Sequence, residues 1–165
     1  MPVSAALRCL LLLVPLLCLS SCGGWRLQGM ERIPSAMAVT YVDAADRYSD
    51  FNRALRESLN AAGAQLVEER KDARVVIRIR RDESGQRVLS VSARNRPEEY
   101  EVFYTVEYSV EGVNGELLEP QKLERTRDYS YDEAALLAKQ REQAVLREAL
   151  ARELAGLVLR RLAAL

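Results

Sequence analysis

The spacing of apolar side chains changes repeatedly along this chain, and each change of period marks an element. From Phe51 the apolar positions Phe51, Ala54, Leu55, Leu59 and Ala62 fall at helical spacing, with Gly63 placed as a C′ cap, which predicts an amphipathic helix over 50–62. Ahead of it, residues 38–42 read as a short strand. After a charged stretch, 68–72, the period drops to two: Val75, Ile77 and Ile79 alternate with Val76, Arg78 and Arg80, which predicts a strand. Ser84-Gly85 supplies turn chemistry, and Leu89, Val91 and Ala93 alternate with Val88, Ser90 and Ser92 as a hairpin partner. Next, Tyr100, Val102, Tyr104, Val106, Tyr108 and Val110 share one face, with Glu101, Phe103, Thr105, Glu107, Ser109 and Glu111 on the other. Such a run belongs to a half-buried strand.

Asn114-Gly115 is the preferred dipeptide of a type I′ turn, so the chain is expected to return antiparallel over about 117–129. Arg125 and Arg127 make that strand polar and mark it as an edge. Ser130-x-x-Glu133 fits a capping box and opens a long helix free of proline. Its buried stripe is expected at Leu137, Leu146, Leu150, Leu154, Leu157, Val158 and Leu162, with Glu142, Arg147, Arg152 and Arg160 outward. With the two arms of the 75–93 hairpin counted as one element, the order reduces to strand, helix, three meandering strands, helix (β-α-β-β-β-α). It predicts an α+β domain: a mixed, mainly antiparallel four-stranded sheet with both helices packed on one face.

The N-terminus has a different logic. Arg8 is the only charge before the apolar run 9–19, giving the n- and h-regions of a secretory signal. Eleven apolar residues fall short of the roughly 20 that a membrane-spanning helix needs. Leu19-Ser20-Ser21-Cys22 resembles the lipobox of bacterial lipoproteins, which predicts a signal peptide over 1–21 and a mature chain starting at an acylated Cys22. Three acyl chains, S-diacylglycerol plus N-acyl, exceed what stable anchoring requires. Residues 22–37 then read as a lipidated tether in which Trp25, Leu27, Ile33 and Met37 can dock, and 38–165 as a single domain. Cys9 and Cys18 leave with the signal, so no disulfide is available and packing alone must hold the domain together. Loss of Arg8 leaves 23 basic against 24 acidic side chains, which argues against a nucleic-acid partner.

The chain contains no histidine, and its one remaining cysteine is assigned to the lipid. His-dependent triads, cysteine nucleophiles and most zinc sites are thereby excluded. Carboxylates are the remaining catalytic option, at Glu98, Glu99 and Glu101 or at Asp43 and Asp46, but neighbouring acids in a 29% charged chain read as solvated. No phosphate-binding glycine motif is present. No catalytic or metal site is therefore predicted. The basic residues of interest are Arg94 and Arg96, around Arg94-Asn95-Arg96-Pro97, and Lys139 and Arg141 near the start of the last helix; they suit anionic sugars and phosphates. The row Tyr100, Tyr104 and Tyr108 reads as core, with a ligand platform as the other use; Phe103, on the polar face, is a candidate partner contact. With no histidine, ligand binding is expected to change little between pH 6 and 8. A binding titration at both ends of that range checks this.

Cys22-Gly23-Gly24-Trp25-Arg26-Leu27-Gln28-Gly29 followed by Ile33-Pro34-Ser35-Ala36-Met37 resembles the start of the LptE lipoproteins of lipopolysaccharide assembly. The likeness continues through Arg53-Ala54-Leu55, the Glu99-Tyr100 strand opening and Leu137-Ala138-Lys139. The resemblance implies a non-enzymatic outer-membrane lipoprotein that plugs the LptD β-barrel as a 1:1 complex and helps deliver lipopolysaccharide to the outer leaflet. It places the domain on the periplasmic side, within the barrel lumen, held by the lipid at Cys22 and with no further cofactor. It also implies direct lipopolysaccharide binding, with Arg94 and Lys139 at the matching positions and Arg96 as the alternative to Arg94. A free-standing ligand-binding lipoprotein is the competing reading from residues alone.

Overall fold

Ser49 opens the first helix, because its hydroxyl accepts the backbone N–H of Asn52 at 3.0 Å and so satisfies one of the orphan donors of the first turn. A computed structural model describes this and everything else in residues 33–130 and 136–165. The expected signal peptide, Cys22, most of the tether and the capping-box Glu133 lie outside those residues. In chain order the elements are β1 (Val39–Ala44), α1 (Asp50–Ala61), β2 (Gln65–Leu66), β3 (Val75–Val91), β4 (Pro97–Gly112), β5 (Gly115–Ser130) and α2 (Leu136–Ala163). Gly63 follows α1 at φ +92°, a conformation that favours glycine. Among the described residues no helix is long and apolar enough to cross a membrane.

The sheet order is β2-β1-β3-β4-β5. β1 runs parallel to both β2 and β3, and β3, β4 and β5 form an antiparallel meander. The predicted α+β class and mixed sheet are present, with five strands where four were expected. The additional one, β2, is two residues long, held by Gln65 N–H to Ala38 O at 2.7 Å and Val67 N–H to Thr40 O at 3.0 Å. A segment this short writes no period. β5 is an edge strand, as its arginines suggested.

One face of the sheet carries the core. On it, Ile77 and Ile79 of β3 and Val102, Val106, Tyr108 and Val110 of β4 are buried. α1 lays Phe51, Ala54, Leu55 and Leu59 on this face, and α2 lays Leu150, Leu154, Val158 and Leu162 beside them. Each such side chain contributes about 1.5–3 kcal/mol of burial. Met37 at the end of the 3-10 turn Ser35–Met37 joins the same core, 1% exposed.

The expected stripe on α2 needs one correction. Leu137 is 73% exposed, and Leu146 and Leu157 are only half-buried. α1 begins at Asp50, which meets Arg147 of α2 at 2.8 Å, so the earlier turns of α2 run past the end of α1 with no helix alongside. Arg147 is accordingly an inter-helix partner, whereas Glu142, Arg152 and Arg160 are exposed as expected.

The second correction concerns Ser84-Gly85, which makes no turn. β3 runs straight through it, with Ser84 opposite Tyr104 and Gly85 opposite Phe103, so the two predicted hairpin arms are one strand. Glycine is there for space: a Cβ on Gly85 would meet Phe103 Cζ at 2.7 Å and Cε1 at 2.9 Å. The ring lies over the glycine, a known way of stabilising glycine within a sheet. Gly85→Val is therefore expected to cost about 1–3 kcal/mol in a urea unfolding experiment. The loss should shrink in a Phe103→Ala background; an equal loss in both would show that the ring is not the obstacle.

Candidate ligand site at the hairpin tip

Residues 92–96 join β3 to β4 in a tight turn. Ser92 N–H donates to Arg96 O at 2.7 Å, Asn95 N–H to Ser92 O at 2.9 Å, and Arg96 N–H to the Ser92 hydroxyl at 3.2 Å. Asn95 takes the left-handed conformation at φ 58°, which asparagine tolerates better than most residues. This arrangement places Arg94 at the apex, exposed, with Arg96 exposed on the returning arm.

Three strands then contribute one row: Val88, Tyr100 and Tyr129 sit side by side on β3, β4 and β5. The Tyr100 and Tyr129 rings stack with centroids 5.9 Å apart at 21°. The Tyr129 hydroxyl donates to Gln86 Oε1 at 2.9 Å, fixing the ring from the side of β3. Above it stands Lys139 of α2, its ammonium 5.9 Å from the Tyr129 ring centroid and 2.9 Å from Glu142 Oε2. The Lys139 side chain is only 18% exposed. Pro97, at the start of β4, is three residues from Tyr100, or about 10 Å along the strand. Lys139 and the Arg94/Arg96 turn, distant in sequence, thus share one end of the sheet. Arg141 is exposed on the same helix turn. The aromatic support from Tyr129 and the Glu142 partner had no signal in the sequence, since Tyr129 shares its strand face with Arg125 and Arg127.

Among the described residues no α-helix packs on the other face of the sheet, which is tiled with charge. Glu111 pairs with Arg70 at 2.7 Å and Arg78 at 3.2 Å, Arg78 reaches Asp43 at 3.4 Å, and Arg87 pairs with Glu101. Phe103 lies within this face, half-buried over Gly85, with the Arg87 guanidinium 5.6 Å from its centroid. It is part of the tiling.

A concavity of about 280 Å³ opens beside the start of α1, lined by Asp46, Ser49, Asp50, Asp82, Tyr104 and Arg147 among others. Its groups are already engaged. Asp82 accepts from the Ser49 hydroxyl and from the Tyr104 hydroxyl at 2.8 Å, and Tyr104 in turn accepts Phe51 N–H at 3.2 Å. Burial, with the Asp82 carboxylate beside it, pushes the Tyr104 hydroxyl pKa well up. Burial also raises that of Asp50, but the hydrogen bonds and charges of Arg147 and Arg53 outweigh it and hold the carboxyl below its usual range. This cluster clasps α1 and α2 to β3 and offers no poised acid or base. The acids considered for catalysis lie apart: Asp43 and Glu101 in ion pairs, Asp46 accepting Tyr48 N–H at 2.8 Å, Glu99 accepting the Ser90 hydroxyl at 2.8 Å, and Glu98 exposed. Among the described residues no group of three or more acidic or cysteine side chains is placed to hold a metal.

Comparison with known proteins gives a consistent result. The LptE lipopolysaccharide-assembly family model matches residues 37–162. An LPS-assembly lipoprotein LptE of Pectobacterium atrosepticum is 25% identical over 141 residues, covering 84% of this chain and 76% of its own. Its namesake from Yersinia enterocolitica is 27% identical over 158 residues, 94% of this chain and 75% of its own. Among solved structures, the rare lipoprotein B of Shewanella oneidensis matches with a TM-score of 0.67 at 29% identity, over 76% of this chain and 94% of that one. An uncharacterized lipoprotein B of Nitrosomonas europaea shares the fold, with a TM-score of 0.71 at 24% identity over 86% and 91% of the two chains. The family match spans the sheet, both helices and the hairpin tip, and this chain belongs to the LptE family, non-enzymatic lipoproteins of lipopolysaccharide assembly.

Proposed function

We propose that this protein plugs an LptD β-barrel in the outer membrane, as a 1:1 complex anchored by acylated Cys22, and contacts lipopolysaccharide through Lys139 and the Arg94/Arg96 turn. The convergence of these basic residues at one end of the sheet carries the ligand half of this reading. Anionic sugar or phosphate groups are met there by guanidinium and ammonium donors. The charged sheet face opposite α1 and α2 supports the barrel half, since a wet, polar lumen suits a mixed-charge surface better than an apolar one.

Affinity purification of the lipoprotein from membranes in mild detergent tests the plug. LptD is expected to come with it in equal amount. Recovery of the lipoprotein alone from a lysate that contains LptD sinks the plug and leaves a free-standing ligand-binding lipoprotein. Intact mass of the same preparation should show a chain starting at Cys22 with its acyl chains attached.

The Lys139–Glu142 pair adds a condition on the ligand contact. With its ammonium 2.9 Å from Glu142 and its side chain mostly covered, Lys139 meets an anion in competition with that carboxylate. Glu142→Gln is expected to tighten lipopolysaccharide binding about two- to fivefold at low salt, the range of an exposed ion pair. Unchanged affinity would mean that the carboxylate and the ligand do not compete.

A further inference from the structure

Along the helix-covered face of β3 and β4 the apolar positions are closed to water until the strands approach their tip. Ile77, Val106 and Val110 are 0% exposed and Val102 is 1% exposed, whereas Val88 is 48%, Leu89 49% and Val91 52% exposed. Val88 faces Tyr100 across the ladder and so lies on the core side; Val91, paired with Pro97, follows on that side nearer the turn. Leu89 sits at the irregularity between the Val88 and Ser90 pairings. Neighbouring apolar side chains left in water near the end of a strand mark a contact surface.

What borders this surface defines its occupant. Lys139 stands over Tyr129 in the same row as Val88, and Arg94 and Arg96 stand beyond Val91 at the turn, about 10 Å further along the strands. Most acids of this end are placed differently: Glu99 is bonded to Ser90 and Glu101 to Arg87, both on the opposite face, and Glu98 lies at a ladder irregularity beside the turn, whereas Glu142 pairs with Lys139 and is the carboxylate an anionic ligand group competes with. An apolar strip with one cation two strands across, over Tyr129, and others beyond it at the turn complements an amphiphile that brings acyl chains and more than one anionic group. A neutral fatty chain offers these cations no anion, and a soluble phosphate leaves the valines in water.

Resting on the proposed lipopolysaccharide contact, we infer that Val88 and Val91 form an acyl-chain subsite flanked by Lys139 and Arg94, which hold anionic groups of the same glycolipid. The acyl portion is thereby bound by this protein, and not only its charged sugar.

The test uses the full acylated lipoprotein with two probes: lipopolysaccharide, and the same material deacylated chemically so that sugar and phosphates remain. Val88→Thr combined with Val91→Thr keeps β-branched side chains at exposed positions and exchanges one methyl for a hydroxyl at each. The pair is expected to weaken lipopolysaccharide binding about tenfold, in line with about 0.8 kcal/mol per apolar carbon withdrawn from contact. Binding of the deacylated probe should stay at the wild-type level, and the melting curve confirms the fold. Unchanged lipopolysaccharide affinity, or equal loss for both probes, overturns the subsite. Retained lipopolysaccharide affinity with loss of LptD co-purification would assign the valines to a protein contact and overturn it too. If Lys139→Gln and Arg94→Gln leave binding of the deacylated probe intact, the basic-residue contact itself fails; wild-type protein that binds neither probe overturns both.

Discussion

Replacing Arg94 and Lys139 together by aspartate is expected to weaken lipopolysaccharide binding at least about 100-fold, because each charge-assisted contact is worth about 1.5–3 kcal/mol and reversal adds repulsion. The two positions differ in what else they do. Arg94 is exposed at the apex of a turn whose hydrogen bonds are made by backbone groups and Ser92, so its replacement leaves the turn intact. Lys139 is 18% exposed, lies over Tyr129 and neutralises Glu142, so aspartate there removes a cation–π contact and places two carboxylates one helical turn apart. Lys139→Gln separates these effects, since it deletes the charge without creating a like-charge pair. Direct binding to lipopolysaccharide, measured beside a thermal melt, reads both quantities. An unaltered affinity of the double variant with an unaltered melt would rule out the basic residues as the ligand contact.

Phe51→Ala carries the largest expected loss of stability, about 3–5 kcal/mol, against the 5–15 kcal/mol that a domain of this kind possesses. Phe51 is 0% exposed in the first turn of α1, and its backbone N–H donates to the Tyr104 hydroxyl, which itself donates to Asp82. Removing the ring opens a cavity where α1 meets the sheet, next to the clasp made by Ser49, Asp82 and Tyr104. The described residues contain no cysteine, so among them packing and hydrogen bonds alone hold this joint. A urea midpoint shift with an unchanged slope measures the loss. A change below about 1 kcal/mol would mean that the joint between α1 and the sheet is not built as described.

The sequence was most legible where one face of an element meets one environment. Alternation over Tyr100 to Val110 assigned the buried face of β4 correctly, since a strand that is dry on one side and charged on the other must alternate. Helical spacing from Phe51 to Leu59 with Gly63 behind it located α1 to within a residue, because cap and periodicity are local properties. Asn114-Gly115 likewise announced the β4–β5 hairpin, but the two residues between the paired Gly112 and Gly115 are Val113 and Asn114, and Asn114 has no positive φ, so the turn is not the expected type I′. Ser84-Gly85 misled for an equally physical reason: glycine serves tight turns and close approaches alike, and only the presence of Phe103 on the neighbouring strand tells which. Leu137 misled because helical periodicity states which side is apolar and not how far the partner helix extends.

The candidate site divides in the same way. From the sequence alone came the residue types able to hold an anion, Arg94, Arg96 and Lys139, the absence of histidine, and the half-buried strand that supports them. Tertiary structure alone brought Lys139 onto Tyr129, set Glu142 against it, placed the Arg94 turn at the same end of the sheet, and left Val88 and Val91 uncovered beside them. Chemistry is carried by single residues and can be read one letter at a time. Proximity between residues dozens of positions apart depends on strand register and on where a helix stops, and these are settled only when the whole core packs.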